Sequence, residues 1–220
     1  MIKNVIFDAG DLLFKSTEYR MGAFESVLRQ FKISVTKEKL KTQWDIARKT
    51  ALIGKESHNK ALENFFRGMG INKDMRLAFA IFKDYYSSGK YKLYRGVIPT
   101  LKHLKSKGFK TGILTDTVFT GKNRRALYNK LKMGRYIDKV ASSHDIHAAK
   151  PNPKAFSTIL KMMHAKKQNS VFVAHAKDEI DGAKRFGLTT IGFNLDKGAK
   201  ADFSAKNFSD IIKIIGELNA

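Results

Sequence analysis

Hydrophobic and polar positions follow two different periods along this chain. β-branched and aromatic residues predict a first strand at about residues 3–7. From residue 17 to residue 88 the apolar residues recur at helical spacing and predict helices at about 17–31, 36–50, 57–68 and 73–88. The first of these carries an apolar stripe of Met21, Phe24, Leu28 and Phe31. The chain therefore begins with a strand that leads into a long helical region.

After residue 89 the pattern changes to strands that alternate with helices. Strands are predicted at 109–115, near 140, at 170–174 and at 189–193, and helices at about 98–107, 122–133, 153–165 and 178–186, before a last helix that ends near Leu218. This βαβ alternation predicts an α/β fold, a Rossmann-like parallel sheet core flanked by helices. We expect a core of residues 1–15 and 95–220, and an inserted α-helical cap of residues 16–94 over the carboxyl ends of the strands.

Aromatic residues are concentrated in the helical region. Trp44, Phe79, Phe82, Tyr85 and Tyr86 belong to this set. Aromatic side chains at helical spacing are typical of a bundle core, and stacking on nucleic-acid bases is the alternative. The spacing favours the core.

The charge balance is strongly basic. The 220 residues include 42 Lys and Arg against 20 Asp and Glu, a formal net charge of +22. Such a field attracts small anionic substrates and also binds nucleic acid non-specifically at low salt, although no nucleic-acid module is recognisable.

The chain has no cysteine, which excludes disulfides and thiolate nucleophiles. Asp8 and Asp11 interrupt the first apolar run, and no later stretch is long enough to span a bilayer, so we expect a soluble cytoplasmic protein with no membrane segment.

Chemically useful side chains stand where the predicted strands end. Asp8 follows the first strand, Thr115 and Asp116 end the second, Lys150 precedes a helix, and Asp178 and Glu179 follow a third strand. They provide a carboxylate nucleophile, a hydroxyl, a cation and an acidic cluster, which is the combination that phosphoryl transfer requires. Oxygen ligands from Asp8 and the acidic cluster suit Mg²⁺.

Four motifs together resemble the haloacid dehalogenase-like (HAD) hydrolase superfamily of the helical-cap type. They read VIFDAGDLLF, GILTDT, SSHDIHAAKPNPKAF and VFVAHAKDEIDGAKRFGLTTIGFN, and the resemblance covers nearly the whole chain. It implies a Mg²⁺-dependent phosphatase of small phosphorylated metabolites in which Asp8 forms a covalent aspartyl intermediate. It also implies that Thr115, Asp116 and Lys150 contact the phosphoryl group. The expected metal ligands are Asp8, the backbone carbonyl of Gly10, and Asp178 with Glu179 close behind.

The chain departs from the family pattern at two positions. Gly10 replaces the aspartate that usually protonates the leaving group, and Asp11 stands one position too far along. General acid-base catalysis is typically worth ~10²- to 10⁴-fold, so we expect weak phosphatase activity. Ala174 and His175 replace the aspartate that commonly follows the third strand. His175 is read as a loop histidine that faces solvent, with a metal ligand or proton carrier as the alternatives.

Other functions stay open or are excluded. Loss of the second aspartate is also compatible with a carbon-halogen or carbon-phosphorus bond hydrolase of the same fold. A degenerate, low-activity member with a binding role is a further alternative. His144 and His147 lack a third ligand nearby, so a metal pair there is not favoured. Dinucleotide-binding and P-loop fingerprints are absent.

Overall fold

The computed structural model describes residues 1–15, 17–88 and 91–220. Its strands are β1 (Asn4–Phe7), β2 (Phe14–Lys15), β3 (Lys92–Leu93), β4 (Lys110–Thr115), β5 (Lys139–Ser142), β6 (Ser170–Ala174), β7 (Thr189–Phe193) and β8 (Phe203–Ala205). Its helices are α1 (Thr17–Gln30), α2 (Lys37–Ala47), α3 (His58–Gly68), α4 (Met75–Ser88), α5 (Val97–Ser106), α6 (Gly121–Lys130), α7 (Ser143–Ile146), α8 (Pro153–Met163), α9 (Lys177–Phe186) and α10 (Phe208–Glu217). The predicted α/β class is confirmed.

A six-stranded parallel sheet forms the centre of the described fold, in the order β5-β4-β1-β6-β7-β8. β1 lies between β4 and β6, and Phe7 is in register with Ile113 on one side and Val173 on the other. The residues after these three positions therefore emerge together at the carboxyl edge. Ligands bind at this edge in open parallel sheets, where the strand order reverses.

Helices cover both faces of the sheet because its strands are apolar on both sides. Val5 and Phe7 pack into one buried cluster, with side chains from α5, α6 and α10. Ile6 faces the opposite cluster, which is built mainly on α8 and α9. A strand buried on both faces reads as a continuous apolar run, as the segment before Asp8 does. This packing gives Asp8 a rigid attachment.

The helices α1 to α4, which we call the four-helix segment, share a hydrophobic core of their own. Trp44 and Phe82 are buried in it, and the rings of Phe24 and Phe65 stack with centroids 4.1 Å apart. The core interpretation of the aromatic residues is thus confirmed for these side chains, whereas Tyr85 is exposed. Val118, from the loop after β4, also packs in this core. The four-helix segment therefore lies against a loop at the carboxyl edge of the sheet.

The structure adds elements that the sequence pattern did not predict. β2 and β3 pair antiparallel, with Phe14 opposite Leu93, where the chain leaves the sheet layer and returns to it. β8 extends the sheet beyond β7. The predicted helix at 122–133 ends earlier, because Lys132 adopts a left-handed φ of 59°. The predicted boundary between core and cap falls at residue 16, which lies outside the described residues.

Within the described ranges, no helix combines the length and apolar character needed to cross a membrane.

Gly182 allows α9 to lie against the loop that carries Lys150. A Cβ at Gly182 would lie 2.4 Å from the Cβ and 3.0 Å from the Cα of Pro151. We expect Gly182→Ala to lower the free energy of unfolding by about 1–3 kcal/mol, because the added methyl forces two packed backbones apart. Urea denaturation followed by circular dichroism measures the change.

Gly216, in α10, provides the matched control. A Cβ there would meet nothing within 4 Å, so Gly216→Ala should leave the stability unchanged or slightly higher. Equal effects of the two substitutions would show that the α9 contact does not constrain the loop.

Candidate active site

Asp8 stands at the carboxyl end of β1. Its backbone N–H donates to the carbonyl of Val173 at 2.9 Å, which continues the pairing of β1 with β6. The residue is 5% exposed. Carboxylate oxygen Oδ1 accepts from the Nζ of Lys150 at 2.5 Å, and Oδ2 lies 3.9 Å from Nε2 of His175. A buried carboxylate on rigid backbone is thus presented to the carboxyl edge of the sheet.

Lys150 connects three parts of the site. Its side chain is 0% exposed, and Nζ contacts Oδ1 of Asp8, Oε1 of Glu179 at 3.0 Å and the carbonyl oxygen of Leu114 at 3.1 Å. Burial alone would lower the pKa of Lys150, but the negative charges of Asp8 and Glu179 outweigh it and raise that pKa above its ordinary value. Lys150 is therefore a permanent cation between two carboxylates.

Glu179, rather than Asp178, is brought to this cation. Asp178 is exposed at the first turn of α9, and its Oδ1 accepts from the backbone N–H of Glu179 at 3.0 Å. The second carboxylate oxygen of Glu179, Oε2, is buried and has no hydrogen-bond partner among the described residues. Burial and the charge of Asp8 raise the pKa of Glu179 well above its ordinary value. The sequence places Asp178 ahead of Glu179 as the expected metal ligand. The residue that contacts Lys150 is Glu179.

Thr115 and Asp116 follow β4 on the other side of Asp8. Thr115 is buried, two residues beyond the position that pairs with Phe7. Oδ1 of Asp116 accepts from the backbone N–H of Lys150 at 3.2 Å. Burial raises the pKa of Asp116, and the charge of Lys150 opposes that rise. Asp116 therefore fixes the backbone from which the Lys150 side chain extends.

The loop position of His175 suggested a side chain that faces solvent, but the side chain is largely buried. It is 19% exposed and lies between two carboxylates. Nδ1 is 3.2 Å from Oδ1 of Asp196, and the Asp196 backbone N–H donates to the His175 carbonyl. Nε2 is the nitrogen nearer to Asp8. A histidine beside Asp196, with its other nitrogen toward Asp8, therefore stands where the family pattern has an aspartate.

The segment around Gly10 forms a tight turn. Gly10 bridges to Phe14, and the backbone N–H of Asp11 donates to the Phe14 carbonyl at 2.8 Å. Asp11 adopts a left-handed φ of 59°. Gly10 therefore has a backbone carbonyl that could bind a metal ion, but it has no side chain that could donate a proton.

Tyr128 is a site neighbour that the sequence pattern did not single out. It lies on α6, is completely buried and belongs to the same hydrophobic cluster as Phe7. Burial raises the pKa of Tyr128 to about 12, and the nearby charge of Asp8 adds to the rise while Arg124 opposes it. Only the tertiary packing of α6 brings this phenol near Asp8, so no sequence signal marks it.

The four expected metal ligands do not form a ready-made cluster. In the described part of the chain, no group of three or more His, Asp or Glu residues is arranged to hold a metal ion. Asp8 and Glu179 are joined through Lys150, and Asp178 lies at the exposed helix start. The histidine pair that the sequence did not favour has other partners: Nδ1 of His147 lies 2.9 Å from the Ile53 carbonyl, and Nδ1 of His144 lies 3.2 Å from Oδ1 of Asp145.

Comparison with known proteins identifies the family of this chain. A family model described as haloacid dehalogenase-like hydrolase matches residues 5–193. The chain is 27% identical over 217 residues to a glyceraldehyde 3-phosphate phosphatase of Methanopyrus kandleri, covering 96% of this chain and 91% of the relative. It is 26% identical to phosphoglycolate phosphatase 1 of Pseudomonas aeruginosa, over 86% of this chain and 70% of the relative.

A solved structure also shares the fold. The 2-haloacid dehalogenase from Pseudomonas syringae superposes with a TM-score of 0.72 at 22% identity, over 99% of this chain and 100% of the other. The chain belongs to the haloacid dehalogenase-like hydrolase family. Its similarity to named phosphatases supports a hydrolase of the phosphatase kind within that family.

Removal of the Lys150 charge should destabilise the fold in a pH-dependent way. Lys150→Met leaves the carboxylates of Asp8 and Glu179 buried without a counter-charge, so we expect a loss of about 3–5 kcal/mol in unfolding free energy at neutral pH. Without the cation, the raised pKa of Glu179 rises further. A carboxyl group whose pKa is raised by folding contributes its stability in full below the pKa of the unfolded chain and loses it as pH rises through the folded value. Urea unfolding at pH 5 and pH 7.5 should therefore show a smaller defect at pH 5.

Two further variants make this test specific. Lys150→Met combined with Glu179→Gln should recover part of the loss, because one of the two buried charges is gone. Lys177→Met removes an exposed ion pair with Asp181 and should leave stability nearly unchanged at either pH. A Lys150→Met defect of the same size at both pH values would contradict the charge assignment.

Proposed function

We propose that this protein is a phosphatase of small phosphorylated metabolites that acts through an aspartyl phosphate on Asp8. The observation that supports it most is the buried contact of Asp8 and Glu179 with one lysine, Lys150, at the carboxyl edge of the sheet. The similarity to phosphatases over most of the chain points the same way. In this proposal the four-helix segment is the cap, because it packs against the loop that follows β4.

The proposed reaction has two displacements. A carboxylate oxygen of Asp8 bonds to phosphorus as the bond between phosphorus and the ester oxygen breaks, and the alcohol leaves with a proton from solvent. A water molecule then attacks the phosphorus, and the aspartyl oxygen leaves to restore Asp8 and release inorganic phosphate. Lys150 and the hydroxyl of Thr115 hold the phosphoryl oxygens, and the fixed positive charge offsets the charge of the dianion.

A divalent cation fits the oxygen donors at this edge. Oε2 of Glu179 is buried without a described partner, and such an orphaned acceptor is suited to a cation. Asp8, the carbonyl of Gly10 and Glu179 would hold Mg²⁺, with Asp178 as an outer carboxylate. When bound, the ion reduces the repulsion between Asp8 and the phosphate dianion. The chain's own residues orient the phosphoryl group.

Asp8→Asn should abolish phosphate release from p-nitrophenyl phosphate, because an amide oxygen is a far weaker nucleophile than a carboxylate. The wild-type rate should require Mg²⁺ and disappear with a chelator. Asp181→Asn, which changes an exposed carboxyl group on α9, should retain the wild-type rate. Phosphate release that persists in Asp8→Asn would overturn the assignment of Asp8.

Gly10→Asp should increase activity. It restores a carboxyl group where the family carries its proton donor, and a well-placed general acid is worth ~10²- to 10⁴-fold in rate. The kcat for an alkyl phosphate, whose leaving group needs the proton, should rise more than that for p-nitrophenyl phosphate. Gly10→Asn has nearly the same shape without a transferable proton and serves as the control; equal rates for the two variants would argue against a missing acid.

A carbon-halogen hydrolase is the second candidate, and one feature favours it. Lys150 pairs with Asp8 directly, and Gly10 offers no acid, so a leaving group that needs no proton suits the site. Chloride release from 2-chloropropionate in the presence of a chelator would support this candidate over the phosphatase. A binding role without turnover would remain if neither substrate class reacted.

A further inference from the structure

A small cavity lies between the four-helix segment and the loop that follows β4. Its volume is about 40 Å³. Three arginines line it, Arg20 and Arg48 from the side of the four-helix segment and Arg124 from α6. Trp44 and Asp116 also line it. The cavity thus lies where two layers of the molecule meet.

Positive charge accumulates around this cavity. Burial, followed by the charge of Arg48, lowers the pKa of Arg20. Burial, with Arg124 and Arg20, lowers the pKa of His58, another lining residue, to about 4. His58 is therefore neutral at pH 7, and the local charge comes from the guanidinium groups. Cations that lie close together are stabilised when an anion joins them.

The arginines are held in place by their surroundings. Arg48 pairs with Asp45, with NH2 of Arg48 2.7 Å from Oδ1 of Asp45. Nε of Arg124 donates to the Thr117 hydroxyl at 2.8 Å, and the Arg124 guanidinium lies 4.6 Å from the centre of the Phe119 ring. Pre-positioned guanidinium groups lose less conformational entropy when they bind a planar anion.

Trp44 provides a second and independent observation. The residue is 3% exposed, and its buried Nε1 donates to no acceptor in the described part of the chain. A buried indole N–H usually has a partner, and an unsatisfied donor costs free energy that a ligand oxygen would recover. An acceptor bound in the cavity would satisfy it.

The cavity adjoins the proposed catalytic site. Asp116 lines it, directly follows Thr115 in the chain, and accepts the backbone N–H of Lys150, whose side chain contacts Asp8. A cavity of about 40 Å³ has room for water or for a small polar group such as a carboxylate. A carboxylate satisfies the size, the charge and the need for acceptor oxygens.

We propose that this cavity binds a carboxylate at the far end of the substrate, so that the preferred substrates are short phosphorylated carboxylic acids. The inference rests on the proposed phosphatase function. The phosphoryl group lies at Asp8, and the carboxylate accepts from Arg48, Arg124 and the indole of Trp44. Bidentate contacts of arginine with carboxylate give this recognition its directionality.

Competing substrates test the proposal. The wild-type kcat/KM for 2-carboxyethyl phosphate should exceed that for 2-carbamoylethyl phosphate by ~10- to 100-fold, because a neutral amide cannot replace a carboxylate among arginines. Arg48→Gln and Arg124→Gln should each remove most of this preference, because kcat/KM falls for 2-carboxyethyl phosphate and much less for the carbamoyl compound.

Arg67→Gln is the matched control. Arg67 is an exposed arginine of α3 that pairs with Glu63, so its loss changes the net charge equally but leaves the cavity intact. It should keep the full preference. Equal kcat/KM values for the two alkyl phosphates in the wild type, or an equal loss in Arg67→Gln, would overturn the proposal.

The single tryptophan of the chain gives a readout that does not depend on turnover. Trp44 fluorescence in Asp8→Asn should change saturably with 2-carboxyethyl phosphate, at a concentration at least tenfold lower than with the carbamoyl compound. Arg48→Gln in the same background should abolish that difference. Identical titrations for the two compounds would overturn carboxylate recognition.

The two proposals fail in distinguishable ways. If the wild type hydrolyses p-nitrophenyl phosphate through Asp8 but treats both alkyl phosphates alike, only the carboxylate assignment is wrong. If no phosphate ester is hydrolysed, the phosphatase proposal is wrong, and the fluorescence titration still decides whether the cavity selects a carboxylate.

Discussion

The buried contact of Lys150 with Asp8 and Glu179 is the interaction on which the rest of the site depends. It joins residues 142 positions apart in the chain and links β1, the loop before α8 and the first turn of α9. Taking three charged groups out of water is costly, and only close pairing and further hydrogen bonds repay that cost. Each element must therefore hold its position accurately. Gly182 packs directly against Pro151, and the sheet beneath Asp8 is packed with apolar side chains on both faces.

The same contact explains how the site can tolerate its two departures from the family pattern. In the proposed reaction Asp8, Lys150 and Thr115 contact the phosphoryl group, and all three are buried. In the family pattern position 10 carries the proton donor, and in this chain that position is a glycine. His175, held by Asp196 and 3.9 Å from Asp8, places an imidazole ring where the family commonly has a carboxylate. The chain thus keeps a buried lysine beside the carboxylate of Asp8 and has no acidic side chain at position 10.

The sequence predicted the elements whose signal is periodic and local. The strands 170–174 and 189–193 and the helices between 17 and 88 needed only apolar spacing, and the candidate residues Asp8, Asp116 and Lys150 were expected together because parallel strands end at one edge. The choice between Asp178 and Glu179 could not be made this way, since adjacent residues in the first turn of a helix point about 100° apart and only packing decides which is buried. β2 and β3 have two residues each and show no period. Tyr128 and the arginine cavity arise from contacts between distant helices.

The overall charge of +22 and the arginine cavity act at different ranges. Exposed lysines attract any anion, and salt screens that attraction beyond about 8–10 Å, so the general field raises encounter rates without choosing among anions. Arg48 and Arg124 are partly buried beside Trp44, where screening is weaker and where size and donor direction matter. A basic surface alone would accept nucleic acid as readily as a metabolite. Selection of one anion over another requires enclosed charges such as Arg48 and Arg124. These arginines lie next to the loop after β4, whose Asp116 also fixes the backbone of Lys150.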